Sequence, residues 1–281
     1  MGSVNMDAYM DALIKQALAE DAVETDLTTQ ATIMPGQSGT ATITAKAKGC
    51  LSGAHIVRRV FESVDTGITQ EWAKQDADSV RCGTMICRVS GALRSLLAAE
   101  RTALNFLQHL SGVATATRAF VDAVAGTGCA IADTRKTTPG LRQLEKQAVV
   151  HGSGINHRMD LASGMLIKEN HIAAAGSIAN AVNLCSGAGR HVWIEVECET
   201  MDEVREAIRV EPDMILLDNM TPESVRAARA IAPTSILLEA SGNITVENAR
   251  DYAETGVDRL AIGAITHSAP ALDMTMLVRE S

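Results

Sequence analysis

The chain has 281 residues, of which 46% are hydrophobic, 21% charged and only 2% aromatic. This apolar content excludes a disordered chain, and the length permits one large α/β domain or two smaller ones. The formal net charge of −9 and the scarcity of aromatic side chains for base stacking argue against nucleic-acid binding. No segment has the apolar length of a transmembrane helix, so no membrane association is expected.

Cysteine usage and the first residues predict a cytoplasmic protein. Residues 1–5 lack the basic and then apolar layout of a signal peptide. The six cysteines are scattered along the chain, which is typical of reduced thiols rather than of a disulfide framework or a structural zinc site.

The first third of the chain predicts a small α+β unit. Helices are predicted from apolar spacing over 6–20 and 55–64. Strands are predicted over 40–48, 68–74 and 84–89. Residues 92–125 predict one or two long helices, broken near Ser111 and Gly112 because glycine is a poor helix former.

From about residue 129 the pattern changes to short apolar runs separated by helical stretches. The runs begin near residues 129, 165, 191, 213, 235 and 258. Helices are predicted over 177–185, 201–208, 222–231 and 246–254. This alternation predicts consecutive βα units with a parallel sheet. About six units, with no glycine-rich dinucleotide fingerprint opening the first, favour a barrel over an open sheet.

Each apolar run ends in charged or small polar residues. These clusters lie at 133–136, 168–171, 195–197, 218–219, 239–242 and 263–264. A single cluster of this kind is usual for a solvated loop. Six strands that end alike instead predict an active site, because barrel enzymes carry their chemistry at the carboxyl ends of the strands.

The segment from 133 to 171 is cationic within an acidic protein. It holds six basic residues against four acidic ones, the basic ones being Arg135, Lys136, Arg142, Lys146, Arg158 and Lys168. A cationic pocket suits a small, highly charged anion, and arginine adds two-pronged recognition of carboxylates or phosphates. Surface ion pairs are the alternative, but Arg135, Lys136 and Lys168 directly follow apolar strands, which places them at the mouth of the barrel.

The later strands carry acidic and glycine-rich ends. Glu195 and Glu197 are two residues apart and face the same side of a strand, where together with Asp218 they suit Mg²⁺ or sugar hydroxyls. Ser241-Gly242-Asn243 and Gly263-Ala264 end the last two strands, where barrels commonly bind phosphate through backbone N–H groups. Trp193, just before Glu195, is interpreted as a core residue.

Seven motifs occur in order over nearly the whole chain. They are Glu-Arg-Thr-Ala-Leu-Asn at 100–105, Asp-Thr-Arg-Lys-Thr-Thr-Pro-Gly-Leu-Arg at 133–142, Asn-His-Arg at 156–158, Leu-Ile-Lys-Glu-Asn-His at 166–171, Glu-Val-Glu at 195–197, Leu-Asp-Asn at 217–219 and Glu-Ala-Ser-Gly at 239–242. This set resembles the motifs of the quinolinate phosphoribosyltransferase family, the carboxylating nicotinate-nucleotide diphosphorylases.

The resemblance implies the α/β fold of a type II phosphoribosyltransferase. An N-terminal α/β sandwich over 1–112, joined by the C-terminal tail 266–281, would accompany an incomplete parallel α/β barrel over 113–265. The implied reaction transfers phosphoribosyl from phosphoribosyl pyrophosphate (PRPP) to quinolinate with decarboxylation, giving nicotinate mononucleotide, pyrophosphate and CO₂ in de novo NAD biosynthesis. The family also implies Mg²⁺ bound with PRPP, no tightly bound organic cofactor, and at least a homodimer with shared active sites.

The resemblance also implies roles for individual residues. The quinolinate-binding set would be Arg101 (from the neighbouring subunit), Thr134, Arg135, His157, Arg158 and Lys168. The PRPP-binding set would be Lys136, Glu197, Asp218, Ser241, Gly242, Asn243, Gly263 and Ala264. Glu197 and Asp218 would also hold Mg²⁺, and the catalytic set would be Lys136, Lys168, Glu197 and Asp218.

Two segments depart from the family pattern, and three alternatives remain. Gly152-Ser153-Gly154 stands where the family usually has three glycines, and Asp160-Leu161-Ala162-Ser163 replaces Gly-Leu-x-Asp. Both border the expected pocket, so we expect them to affect substrate affinity rather than the reaction class. The alternatives are the molybdenum-locus relative of the family, an aldolase that uses Lys168 as a Schiff-base lysine, and a non-catalytic binding relative.

Overall fold

A computed structural model describes residues 6–279. Residues 1–5, which bear on the signal-peptide prediction, and 280–281, the end of the predicted tail, lie outside the described residues. The chain divides into two compact units: unit 1 comprises 1–116 and 269–281, and unit 2 comprises 117–268. The sequence-based boundaries, after 112 and after 265, lie a few residues earlier. Within the described part of the chain, no helix is long and apolar enough to cross a membrane.

Unit 1 is built around an antiparallel sheet of four strands in the order β12-β1-β5-β3, and β2 and β4 form a separate pair. Its strands are β1 (Ser38–Ala45), β2 (Gly49–Cys50), β3 (Thr69–Trp72), β4 (Ser79–Val80), β5 (Met85–Ala92) and β12 (Met274–Arg279). Its helices are α1 (Met6–Glu20), α2 (Leu27–Thr32), α3 (Ala54–Val64) and the greater part of α4 (Leu93–Ala123). The predicted strands correspond to β1, β3 and β5. The short α2, β2 and β4, together with β12, were not predicted because they are too brief or too weakly patterned.

The long helix α4 is continuous through Ser111 and Gly112, so the predicted break there is wrong. Ser111 is buried, and its Oγ accepts from Ser52 N at 3.0 Å and donates to Ser52 O at 3.1 Å. A Cβ atom at Gly112 would collide with Pro270 O. The glycine therefore permits close approach of the C-terminal segment of unit 1 to the helix, and it does not end the helix.

Unit 2 contains six parallel strands in the order β6-β11-β10-β9-β8-β7. The strands are β6 (Ala130–Ala132), β7 (Met165–Ile167), β8 (Ile194–Cys198), β9 (Met214–Asp218), β10 (Leu237–Ser241) and β11 (Arg259–Ala261). The edge strands β6 and β7 are consecutive in the chain but not paired with each other, so the ring of strands stays open between them. The α/β class with an incomplete parallel barrel is confirmed.

Helices follow or precede the strands of unit 2 as the alternating pattern predicted. They are α5 (Arg142–His151), α6 (Glu169–Ala175), α7 (Ile178–Gly187), α8 (Met201–Arg209), α9 (Pro222–Ile231), α10 (Ala249–Ala253) and α11 (Ala264–His267). Thr200 and Glu203 form a capping box at α8, and Thr221 caps α9. The helix predicted over 246–254 is shorter in the structure, because Asn248 Oδ1 accepts from Thr245 N and closes a turn before it.

The parallel arrangement explains why the polar clusters meet. Strand β9 is buried at four successive positions from Met214 to Leu217 and becomes partly exposed only at Asp218. A parallel strand covered on both faces has this continuous apolar run. Since all six strands point the same way, the residues that follow them lie at one edge of the sheet.

Candidate active site

Two arginines at this edge have no ion pair with a carboxylate of the described residues. Arg135 follows β6, and its side chain donates no hydrogen bond to any of residues 6–279; its buried Nε has no acceptor. Arg158 donates from Nη1 to Gly164 O at 3.0 Å. Burial and the neighbouring Arg135 charge lower the pKa of Arg158 from its usual value. Two mutually repelling guanidinium groups therefore lie close together, an arrangement that an anionic ligand would stabilise.

Lys168 lies at the end of β7, as predicted, and forms an ion pair with Glu197 of β8. Its side chain is 46% exposed and that of Glu197 is 13% exposed. The backbone N–H of Lys168 donates to His171 Nδ1 at 3.0 Å, which fixes the residue at the start of α6. The predicted cation and the predicted acid are thus in direct contact.

Asp218 ends β9 beside this ion pair. Burial, and then the charge of Glu197, raise the pKa of Asp218 against the opposing effects of Lys168 and Lys136. Asn219 Nδ2 donates to Asp218 Oδ2 at 2.7 Å. Two carboxylates therefore lie close enough to repel each other, with two lysines near them.

The loop after β10 turns through two successive residues with positive φ. Gly242 has φ of 95° and Asn243 has φ of 53°, both in the left-handed region. A Cβ atom at Gly242 would collide with the Asn219 side chain, whose Oδ1 accepts from Asn243 Nδ2 at 3.2 Å. Only glycine fits at 242, so the loops after β9 and β10 are held together there.

The loop after β11 meets the loop after β6. A Cβ atom at Gly263 would lie 3.0 Å from Lys136 Cδ. Thr266 Oγ1 donates to Lys136 O at 2.8 Å, which fixes the backbone of the lysine. The exposed Lys136 and the Gly263-Ala264 turn, predicted separately from the sequence, are therefore neighbours in unit 2.

His157 uses both ring nitrogens within the protein. Its Nδ1 accepts from Arg158 N at 2.7 Å, and its Nε2 lies 2.9 Å from Glu195 Oε2. Trp193 packs edge-on against it, with ring centroids 5.3 Å apart and an interplanar angle of 86°. The interpretation of Trp193 as a core residue is wrong, since it is partly exposed and lines the His157 side of the site.

Two of the six predicted cations do not face the site. Lys146 and Asp133 are 0% exposed and form an ion pair, because α5 turns the lysine inward toward the end of β6. Lys146 Nζ also donates to His157 O at 3.0 Å, and His157 N donates to Asp133 Oδ1 at 2.9 Å. Arg142 instead holds two loop segments by donating to Thr137 Oγ1 and to the carbonyl of residue 159.

This buried pair was not recognised from the sequence. The side-chain amide of Asn156, oriented so that its nitrogen donates, reaches Asp133 Oδ2 at 2.6 Å and Lys146 O at 2.9 Å. Asp133 and Lys146 therefore hold the backbone of the Asn156-His157-Arg158 motif. The only indication in the sequence was the alternation of acidic and basic residues within 133–146. The same alternation is typical of a solvent-exposed helix, so it does not predict a buried ion pair.

The remaining predicted residues lie as follows. Thr134 Oγ1 accepts from Lys136 N at 3.0 Å and so takes part in the turn after β6. Arg101 lies on α4 in unit 1 with an exposed side chain. In the first segment that departs from the family pattern, Ser153 has a φ of 70°. In the second, Asp160 Oδ1 accepts hydrogen bonds from the backbone N–H groups of Ala162 and Ser163.

Comparison with known proteins gives a consistent result. Residues 26–111 match the family model for the quinolinate phosphoribosyl transferase N-terminal domain, and residues 113–277 match that for its C-terminal domain. A probable carboxylating nicotinate-nucleotide pyrophosphorylase of Bacillus subtilis is 43% identical, over 94% of this chain and 91% of the relative. A carboxylating nicotinate-nucleotide pyrophosphorylase of Mycobacterium leprae is 41% identical over 98% of both chains. The solved nicotinate-nucleotide pyrophosphorylase of Francisella tularensis has a TM-score of 0.94 at 38% identity, covering 99% of this chain and 98% of its own.

Proposed function

The chain belongs to the quinolinate phosphoribosyltransferase family, and on that premise we propose that it transfers the phosphoribosyl group of PRPP to quinolinate with loss of CO₂. The products are nicotinate mononucleotide and pyrophosphate, in de novo NAD biosynthesis. One observation of the structure carries the proposal: among the described residues, Arg135 and Arg158 lie together without carboxylate partners, and Arg135 Nε is buried without an acceptor. A buried donor left without a partner is costly, so a dicarboxylate that bonds both guanidinium groups gains affinity there.

Quinolinate would lie against the cations that follow β6 and β7. Arg135, Arg158 and Lys168 are assigned to its two carboxylates, with Thr134 at the edge of the same turn. His157 contributes by holding the Arg158 backbone, since both of its ring nitrogens have protein partners. The Schiff-base alternative gains no support, because Lys168 is ion-paired with Glu197 and an ammonium in an ion pair is a poor nucleophile.

PRPP would lie across the acidic and glycine-rich strand ends. Lys136 is assigned to the pyrophosphate and Glu197 to the ribose hydroxyls. The loops Ser241-Gly242-Asn243 and Gly263-Ala264 are assigned to the 5′-phosphate, which their backbone N–H groups suit. The contact between Lys136 and Gly263 supports this placement, because it puts a cation beside one of the phosphate loops.

Mg²⁺ fits the carboxylates of Glu197 and Asp218. These are hard oxygen donors, and the raised pKa of Asp218 reflects in part repulsion by Glu197 that a divalent cation would relieve. When bound together with PRPP, Mg²⁺ supplies charge neutralisation for the departing pyrophosphate. No tightly bound organic cofactor is proposed.

The reaction requires positioning and charge neutralisation rather than a protein nucleophile. The pyridine nitrogen attacks C1 of the ribose while the bond from C1 to the pyrophosphate oxygen breaks. The pyridinium nitrogen then stabilises the carbanion left at C2 when the adjacent carboxylate departs as CO₂, and C2 takes a proton from water. Arg135, Arg158 and Lys168 orient the ring for attack, and Lys136 neutralises charge on the leaving group.

We further propose a homodimer in which Arg101 of each subunit completes the site of the other. The exposed side chain of Arg101 supports this assignment. A cytoplasmic location is also proposed, supported by six free cysteines, which suit a reducing compartment.

The test is product analysis with quinolinate, PRPP and Mg²⁺. We expect equal amounts of CO₂, pyrophosphate and nicotinate mononucleotide, with no product when either substrate is left out. Replacement of quinolinate by nicotinate separates decarboxylation from transfer, because nicotinate has no carboxylate at C2. Turnover of quinolinate without CO₂ release, or no turnover at all, would contradict the proposal.

A further inference from the structure

Two buried carboxyl groups lie next to the imidazole ring of His157, and the proposed function assigns no role to either of them. Glu195 of β8 and Glu239 of β10 are both 0% exposed. Glu195 Oε2 lies 2.9 Å from His157 Nε2, and Glu239 Oε1 lies 3.4 Å from the same nitrogen. Glu195 Oε1 and both carboxyl oxygens of Glu239 have no hydrogen-bond partner in the described part of the chain. Their burial therefore needs an explanation.

The backbone N–H of Arg158 fixes the protonation of the His157 ring. It donates to Nδ1 at 2.7 Å, so Nδ1 carries a lone pair and the proton lies on Nε2. Nε2–H then donates to Glu195 Oε2. Glu195 is therefore the acceptor for the ring proton on Nε2.

The same hydrogen bond argues against a metal ion in the cluster. Single ligand atoms of His157, Glu195 and Glu239 lie within 4.8 Å of one another, close enough to share a cation. A cation on Nε2 would move the ring proton to Nδ1, where it would face the Arg158 N–H donor. The geometry of the cluster therefore favours a proton on Nε2.

Unlike Glu195, Glu239 accepts no hydrogen bond from any residue that the structure describes. Burial, followed by the charge of Glu195, raises the pKa of Glu239 well above its usual range, against a smaller opposing effect of Arg259. Two carboxyl groups lie within 3.4 Å of the same ring nitrogen, and Glu239 is the one that no described residue stabilises with a hydrogen bond.

We propose that Glu195 is a positioning residue for the reaction: its carboxylate holds His157 in the Nε2–H tautomer and so sets the place of Arg158, while the neighbouring Glu239 makes no hydrogen bond to the ring. The chain of contacts runs from Glu195 to His157 Nε2, and from His157 Nδ1 to the Arg158 backbone. The Arg158 side chain is in turn tied to Gly164 O. Arg158 is thus oriented by two hydrogen bonds, one from its backbone N–H and one from its guanidinium group.

The kinetic test compares two isosteric variants, and it rests on the proposed function. Glu195→Gln is expected to lower kcat/KM for quinolinate roughly 10–100-fold with KM for PRPP unchanged, because an amide can donate to Nε2 and admit the wrong tautomer. Glu239→Gln keeps the shape of a side chain that makes no hydrogen bond to His157, and kcat/KM should stay at the wild-type value. Equal effects of the two variants, or a larger effect at Glu239, would overturn the proposal.

A spectroscopic test needs no substrate and so separates this inference from the proposed function. Long-range ¹H–¹⁵N spectra of histidine-labelled protein report the tautomer, with His157 assigned by the signal lost in His157→Asn. Wild type and Glu239→Gln are expected to show the Nε2–H form, and Glu195→Gln a loss of it. An Nδ1–H or doubly protonated ring in the wild type would overturn the proposal. So would Mn²⁺ or Zn²⁺ that stays bound during dialysis against a chelator and is lost in Glu239→Gln.

Discussion

Replacement of Lys146 by methionine should destabilise unit 2 by about 3–5 kcal/mol at neutral pH, because it leaves the Asp133 carboxylate buried without a countercharge. Both side chains are 0% exposed, so water cannot compensate the loss. Burial raises the pKa of Asp133, and Lys146 is the largest opposing influence. Without the lysine, the folded-state pKa of Asp133 rises further above its unfolded value.

The sign of the pH dependence follows from that shift. A carboxyl whose pKa is higher in the folded state stabilises the fold while it is protonated, and this contribution is lost as pH rises through the folded-state pKa. The stability lost in Lys146→Met should therefore shrink as pH falls from about 8 to about 5. Urea unfolding followed by Trp193 fluorescence, in a Trp72→Phe background, reports the transition of unit 2.

Arg205→Met is the matched control for this measurement, because Arg205 lies in the same unit as Lys146. Arg205 and Asp202 form an ion pair at 2.6 Å with side chains 53% and 93% exposed. Loss of an exposed pair of this kind costs at most about 1 kcal/mol. Equal losses in Arg205→Met and Lys146→Met, or a loss in Lys146→Met that does not change with pH, would contradict this prediction.

Two further predictions concern the shared site and its metal. The variants Arg101→Ala and Lys168→Ala should each be inactive alone. When they are mixed in equal amounts and exchange subunits, half of the dimers hold one intact site, so roughly a quarter of wild-type activity should return. No recovery after exchange would argue against a shared site. Because burial and Glu197 raise the pKa of Asp218, kcat/KM for PRPP should fall as pH drops through that raised value, and more Mg²⁺ should move this acid limb to lower pH. An acid limb that Mg²⁺ does not move would argue against Asp218 as a metal ligand.

The fold was predictable where local pattern and tertiary environment agree. The run of buried residues in β9 follows from a strand covered on both sides, and α9 begins at Pro222 and ends at Ile231 as predicted. The predicted helix break at Gly112 was wrong. A glycine is needed there because Pro270 O approaches the helix too closely for a Cβ atom, and this approach cannot be predicted from the local sequence.

The candidate site was predictable to the extent that its residues follow strands. Parallel strands bring their ends together, so Lys168 and Glu197 meet although 29 positions separate them. The inward turn of Lys146 and the proximity of Glu239 to His157 depend on the rotation of α5 and on strand order. Neither can be read from spacing alone.

We expect quinolinate to be held by guanidinium groups that have no carboxylate partner among the described residues, and steady-state kinetics of Arg135→Ala is the measurement that tests this. We expect a fall of about 10²–10³ in kcat/KM for quinolinate, with KM for PRPP and the unfolding midpoint unchanged. Arg205→Ala, which removes an exposed arginine paired with Asp202 on α8, should behave as wild type. A wild-type kcat/KM for quinolinate in Arg135→Ala would contradict the claim.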